Sequence, residues 1–313
     1  MKILVTGVAG FIGSNLADRL AKDGHSVIGI DDLSAGILEQ VPKEVDFHKV
    51  DIRSKEIKPL FKGIDAVFHL AAKNCVPDCQ NFPHETADVN IMGTLNVFDA
   101  CREAGVGRVM YAESSAIYEG TTTLPTPETD FTPRTIYAIS KAADHLFAKA
   151  YGEFYGMKLT GFRYLNVYGP RQDYRRAIPP VMSRFIIRLL MGEHPPVFGD
   201  GNERRDYIHV DDVNDFHTLC LTSPDVAGKV FNLGSGKNLS VLELLAMIQK
   251  ILGIAIEPEF VPNVPGAAPA NLGDIRAARS VGWEPKTNLE NGLLGMVEYI
   301  KSEIAKGNIT HSL

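Results

Sequence analysis

The sequence predicts an α/β protein: a doubly wound parallel sheet followed by a smaller domain assembled from discontinuous pieces. Three observations predict it. Short apolar runs alternate with helical patterns from the first residues to about residue 169, the signature of a parallel sheet with helices on both faces. A glycine trio, Gly7, Gly10 and Gly13, stands directly after the first apolar run. Beyond Gly169 the chain becomes rich in Pro, Arg and Gly, and the strict alternation stops.

Taken in order, KILVTG (2–7) reads as a buried strand and residues 11–23 as the helix after it. SVIGIDD (26–32) and DFHKVDI (46–52) are the next strands. DAVFHLAA (65–72) leads to a helix over 89–105, and RVMYAESS (108–115) to a polar loop and a helix that begins near Tyr137. KLTGFRYLNVYG (158–169) closes the series. One helix is then expected near 180–192, and RDYIHVDDV (205–213) and KVFNLGSG (229–236) read as strand pieces. SVLELLAMIQKILG (240–253) carries the 3.6-residue period of an amphipathic helix, and a last helix is expected near 289–305. The predicted domains are 1–169, with segments near 205–234 packing back onto it, and 170–313.

Bulk properties exclude several classes. A hydrophobic content of 45% and a charged content of 22% match a globular enzyme with a well-buried core. A net charge of −6 gives no electrostatic reason for nucleic-acid binding. Basic residues cluster at 171–176 and 204–205, a pattern suited to a small anionic ligand. The four cysteines, Cys75, Cys79, Cys101 and Cys220, show no C-x-x-C spacing and make no disulfide scaffold. No metal is expected. The apolar opening imitates a signal peptide, but its glycines fall at turn-and-helix spacing and LADRLAKDGH follows as an amphipathic helix. No stretch reaches the ~20 apolar residues of a membrane span. The expectation is a soluble, cytoplasmic protein.

The glycine trio carries chemistry through its position. After a strand and at the head of a helix, glycines let the backbone turn tightly and approach a pyrophosphate, while the helix N-terminus offers N–H donors. This is the Rossmann-type arrangement. Asp31 lies 18 residues past Gly13 at the end of the second strand. It is either a turn cap or the carboxylate that accepts hydrogen bonds from an adenosine ribose, and its position favours the ribose. Tyr137 and Lys141, four apart, share one face if their segment is helical. They read either as a surface polar pair or as a phenol made a base by the neighbouring cation.

The blocks T-G-x-x-G-x-x-G, DDLSAG, VDI, HLAA, VN…GT, Y-x-x-x-K, RYLNVYGPRQ and FGDGNERRDYIHVDDV occur in that order. Together they resemble the extended short-chain dehydrogenase/reductase family, in its nucleotide-sugar epimerase and dehydratase branch, from residue 1 to about 300. The resemblance implies tightly bound NAD in 1–169 and a nucleotide-diphosphate sugar, a UDP-hexose, bound mainly by 170–313. It implies that Phe11 and Ile12 cover the pyrophosphate and that Asp31 holds the ribose, with Asp32, Ser34 and Gly36 in the same cofactor block. Asp51 and Ile52 would bracket the adenine, and Leu70, Ala71 and Ala72 would line the dinucleotide groove. Asn90 would be either a groove contact or an amide capping the core.

For the chemistry, the resemblance implies Tyr137 as acid/base, with Lys141 holding the nicotinamide ribose and favouring the phenolate. Counting back from Tyr118 places the catalytic hydroxyl on Ser114, with Ser115 beside it. Glu119 stands where the family pattern has glycine after that tyrosine. Relatives that eliminate the 6-hydroxyl carry Thr-Asp-Glu where this chain has Ser114, Ser115 and Ala116. Lacking that acid/base pair, the chain is expected to oxidise C4 and reduce it on the other face: a 4-epimerase. The alternatives are a reductase, decarboxylase or dehydratase of the same branch, or a non-catalytic NAD-binding sensor.

On the substrate side, Asn166 matches the asparagine on the diphosphate, Tyr164 the residue beside the nicotinamide, and Arg205 the phosphate arginine. Arg204 is expected to be a solvated charge. Val197 and Phe198 are either a base-binding wall or ordinary core. The second phosphate arginine falls on Val264, with Arg175 or Arg176 as possible replacements. The site of a bulky tyrosine in strict galactose/glucose epimerases falls on Asn271, which implies a roomier pocket compatible with N-acetylated sugars. The helices near 89–105 and 137–155 would pair in a homodimer.

Overall fold

The computed structural model describes residues 1–176, 178–262 and 268–310. Within them the strands are β1 (Lys2–Thr6), β2 (Ser26–Asp31), β3 (Asp46–Lys49), β4 (Ala66–His69), β5 (Arg108–Ala112) and β6 (Leu159–Tyr164). Six further strands follow: β7 (Asn166–Tyr168), β8 (Pro196–Phe198), β9 (Arg204–His209), β10 (Val230–Leu233), β11 (Asn238–Ser240) and β12 (Glu259–Val261). The helices of the first half are α1 (Phe11–Lys22), α2 (Val76–Asn81), α3 (Pro83–Ala87), α4 (Gly93–Ala104) and α5 (Ile136–Tyr155). Those of the second half are α6 (Val181–Leu190), α7 (Val210–Cys220), α8 (Val241–Leu252), α9 (Arg276–Ser280) and α10 (Leu289–Ala305).

Seven strands form one parallel sheet in the order β10-β6-β5-β4-β1-β2-β3. The order reverses beside β1, and ligands of such sheets bind outside the carboxyl ends at that switch point. Alternation along β1 explains the two covered faces. Ile3 and Val5 enter one core with Leu16, Phe68, Phe162 and Phe216. Leu4 enters the other with Ile30, Val67, Phe98 and Tyr151. A third core, with Phe185, Val197, Leu244, Leu293 and Met296, holds α6, α8 and α10 together in the smaller lobe. Small sheets β11-β9-β7 and β12-β8 lie on the way to it.

Several expected strands end early. The segment expected as a strand over 205–213 is β9 to His209 and then α7, because His209 Nδ1 accepts the Asp211 N–H at 3.3 Å and Asp211 and Asp212 occupy the first helical turn. The run 158–169 breaks at Leu165: β6 belongs to the large sheet and β7 pairs with β9. The runs 46–52, 108–115 and 229–236 stop at Lys49, Ala112 and Leu233. The helix expected from 89 is a π-helical turn over Asp88–Met92 before α4, preceded by α2 and α3. Among the described residues no helix is long and apolar enough to cross a membrane.

Candidate active site

A cavity of about 1100 Å³ runs from the carboxyl ends of β1 and β2 past β5 to the smaller lobe. That exceeds the ~300–1,000 Å³ of a pocket for one drug-sized ligand, so it has room for two.

At its first end the glycine turn is closed by contact, not by sequence alone. A Cβ on Gly13 would stand 2.1 Å from Gly7 O, and one on Gly7 would stand 2.8 Å from Ala71 N, with Gly7 at φ +71°. The N-cap of α1, Gly10, brings no side chain to the helix end, so that end stays open to a ligand. Asp31 accepts hydrogen bonds from Ala9 N at 3.0 Å and Leu33 N at 2.9 Å. Burial pushes its carboxyl pKa up, and these two N–H groups hold it back. Asp32 accepts from Ser34 N and Ser34 Oγ. Phe11, Ile12, Ser34, Gly36, Asp51, Ile52, Leu70, Ala71 and Ala72 all line this end. Arg53 holds the Asp51 carboxyl below its ordinary range, foremost through a side-chain hydrogen bond. Glycine cradle, open helix end and the buried Asp31 carboxylate together fit a dinucleotide.

In the middle, α5 presents Tyr137 and Lys141 to the cavity, which Ser114 and Ser115, just beyond β5, also line. Lys141 Nζ, almost wholly buried, donates to Ala112 O and to Asp144 Oδ2, both at 3.0 Å. Burial alone would lower the lysine pKa; Asp144 and Tyr137 reverse it, so the ammonium stays charged. Ser114 Oγ accepts the Ala116 N–H at 3.2 Å, capping a 3₁₀ turn and leaving its O–H free to donate. Tyr164 lines the wall, its hydroxyl 2.8 Å from His217 Nε2.

Besides Asp144, two carboxylates stand beside this group, Glu113 and Glu119, and both of these are engaged. Glu113 is fully buried, with Tyr111 Oη at 2.6 Å, Arg163 Nε at 2.7 Å and His145 Nδ1 at 2.9 Å. Burial would raise its pKa, but His145 and Arg163 bring it below the ordinary value. Glu119 accepts from Thr135 N (2.8 Å), Thr135 Oγ1 (2.9 Å) and Arg134 N (3.2 Å). The residue that breaks the glycine pattern therefore anchors the N-cap of the tyrosine helix.

Toward the smaller lobe, Asn166 Nδ2 donates to Asp206 O at 2.8 Å and to Asn271 Oδ1 at 3.3 Å; Asn271 Oδ1 also accepts Asp206 N at 2.8 Å. Asn166, Asn271 and Arg205 all line the cavity.

Three expectations need correction. Asn90 is fully buried and outside the cavity: its Oδ1 accepts Lys73 N at 2.7 Å, and its Nδ2 donates to Lys73 O and Ser140 Oγ, both at 2.9 Å. It ties the loop after β4 to α5. Val197 faces the third core, while its neighbour Phe198 faces the cavity, as strand alternation requires. Arg204 is half-buried, paired with Glu243 at 3.1 Å and bonded to Asn238. Val264 lies outside the described residues. Arg171, from the basic cluster expected to meet an anionic ligand, lines the cavity, whereas Arg184 and Tyr207 on its wall were not expected from the sequence. An arginine inside the apolar helix pattern VMSRFIIRLL was the available signal for Arg184.

Fold and site together define a Rossmann-type, nicotinamide-dinucleotide-dependent protein with a serine, tyrosine and lysine grouped at the cofactor groove. Residues 3–234 match the NAD dependent epimerase/dehydratase family model. The chain belongs to that family, and its cofactor is NAD. It is 36% identical to the UDP-glucose 4-epimerase of Mycolicibacterium smegmatis over 97% of this chain and 99% of that protein. Among solved structures it resembles the UDP-glucose 4-epimerase of Thermotoga maritima in complex with UDP-glucose (TM-score 0.93, 36% identity, 97% of this chain and 100% of that one). It also resembles the Thermus thermophilus UDP-glucose 4-epimerase in complex with NAD (TM-score 0.88, 34% identity, 96% and 99%).

Proposed function

We propose that the protein is a 4-epimerase of a UDP-hexose, the glucose/galactose pair or its N-acetylated counterpart, acting through a 4-keto sugar. The observation that carries this reading is that Ser114, Tyr137 and Lys141 line one cavity, with Glu113 and Glu119 beside them committed elsewhere. Elimination needs a free acid and base; Glu113 and Glu119 are bound by structural partners, and Ser115 and Ala116 supply neither.

The bound NAD supplies a hydride acceptor and, in the return step, a hydride donor. Tyr137 takes the proton of the C4 hydroxyl and gives it back. Ser114 Oγ, fixed by the Ala116 N–H, donates its O–H to the same sugar oxygen. Lys141, held by Ala112 O and Asp144, keeps its positive charge on the helix that carries Tyr137 and would hold the nicotinamide ribose. Asn166 and Arg205 hold the diphosphate.

The reading is tested by incubating the purified protein with UDP-, dTDP- and GDP-sugars and following products by NMR. Interconversion of a UDP-hexose pair without added reductant is expected. Tyr137→Phe should keep its NAD and lose about a thousandfold or more in turnover. A product of altered mass would establish a reductase, decarboxylase or dehydratase instead, and silence across the panel would favour a sensor.

A further inference from the structure

We propose that Arg184, which lines the same cavity as Arg205, is the second cation that grips the diphosphate of the sugar nucleotide. The inference rests on the epimerase reading above and concerns a side chain for which that reading has no role. Arg184 projects from α6, is 8% exposed, and lines the same cavity as Arg205. Its guanidinium lies 4.9 Å over the Phe198 ring, a stacking contact that fixes its plane without using its N–H donors. Its Nε is buried and meets no acceptor, and among the described residues it has no carboxylate partner.

The other arginines near the cavity are different. Arg171 donates to Ser14 O at 2.9 Å. Arg175 and Arg176 both face Asp173, at 3.1 and 3.5 Å. Arg163 is matched by Glu113. Arg175 and Arg176, the replacements considered for the arginine absent at Val264, share the single Asp173 carboxylate, and both are more exposed than Arg184. Arg205 differs from these: among the described residues its Nη1 reaches the Arg204 carbonyl, at 2.9 Å, and Glu203 is the acidic group that bears on it. The Tyr207 hydroxyl, also on this wall, is buried without a partner.

A buried guanidinium without an anion is costly, and a fold retains one where a ligand supplies the missing charge. The buried Arg184 and the half-buried Arg205 on one cavity match the two negative charges of a nucleoside diphosphate ester, and the forked guanidinium donors match phosphate oxygens. Burial depresses the pKa of both arginines, as a site awaiting an anion would.

The test is UDP binding to the NAD-loaded protein by calorimetry, with uridine binding followed by NMR. Arg184→Met, which preserves packing on Phe198, should weaken UDP about tenfold to a hundredfold and leave uridine unchanged. Arg184→Lys should recover part of the loss, and KM for the sugar nucleotide should rise more than kcat falls. Unchanged UDP affinity in Arg184→Met, or an equal loss for uridine, overturns the inference and leaves the epimerase reading standing. If the unaltered protein binds no UDP, the epimerase reading itself fails.

Discussion

Val197 and Phe198 show how residue-level legibility works. Both were visible as an apolar pair before a glycine turn, and only the pairing of β8 with β12 decides which of them faces the ligand. Asn90 posed the same problem: an amide in a motif is visible, whereas its commitment to Lys73 and Ser140 depends on segments far apart in sequence. The glycine turn was legible because it is local to one strand–turn–helix unit, and Asp31 because it ends the next strand and returns to that turn through Ala9 N. Glu119 was legible only as an irregularity. It holds the start of α5 through three hydrogen bonds just ahead of Tyr137. Glu119→Ala should therefore cost about 1–2 kcal/mol of stability, as loss of a helix cap does, and lower kcat while NAD remains bound. Glu119→Gln, which keeps one acceptor oxygen, should restore part of both. Urea titration together with turnover checks this; an alanine variant that matches the parent in both would remove the anchoring role.

Among the elements, the first half was read nearly complete because a parallel sheet buries whole strands and so marks them as apolar runs. The second half was harder. Strand β9 passes into α7 with no intervening loop, so one apolar run contains two conformations. The break at Leu165 sends β7 to another sheet, which hydrophobicity does not record. Helix α5 carries a further consequence. One face buries Ala138, Lys141, Ala148 and Tyr151, yet Ile139, Leu146, Phe147 and Phe154 lie exposed along an adjoining stripe. We propose that this stripe pairs with a second copy of the chain, as the resemblance implied for helices 89–105 and 137–155. The double variant Leu146→Glu with Phe154→Glu should convert a dimer to a monomer in light scattering while retaining helical circular dichroism. A monomeric parent protein would rule the pairing out.

At the scale of the molecule, the cavity opens where the cores under the large sheet meet the third core, so the site depends on packing that no single motif encodes. Two histidines deep in that packing couple it to pH. His69 bridges Thr6 Oγ1 at 2.7 Å and Thr94 Oγ1 at 2.9 Å, joining β1, β4 and α4. His217 lies against Phe68 and Phe162, with Tyr164 Oη at 2.8 Å. Burial lowers the pKa of each from 6.5 to about 3, with Lys141 adding to the effect at His69. Both are neutral in the native state, whereas the unfolded chain takes up their protons below about 6.5. Between about 6.5 and about 3 the unfolded state thus binds more protons, so stability rises with pH and is lost as pH falls. Each histidine contributes a slope of about 1.4 kcal/mol per pH unit in the lower part of that window. Urea unfolding at pH 7.5, 6.0 and 5.0 should show midpoints falling with pH, and a His217→Gln variant should show about half of the histidine-driven slope. A variant whose midpoints fall as steeply as those of the parent would show that His217 is already charged, or not buried, in the folded protein.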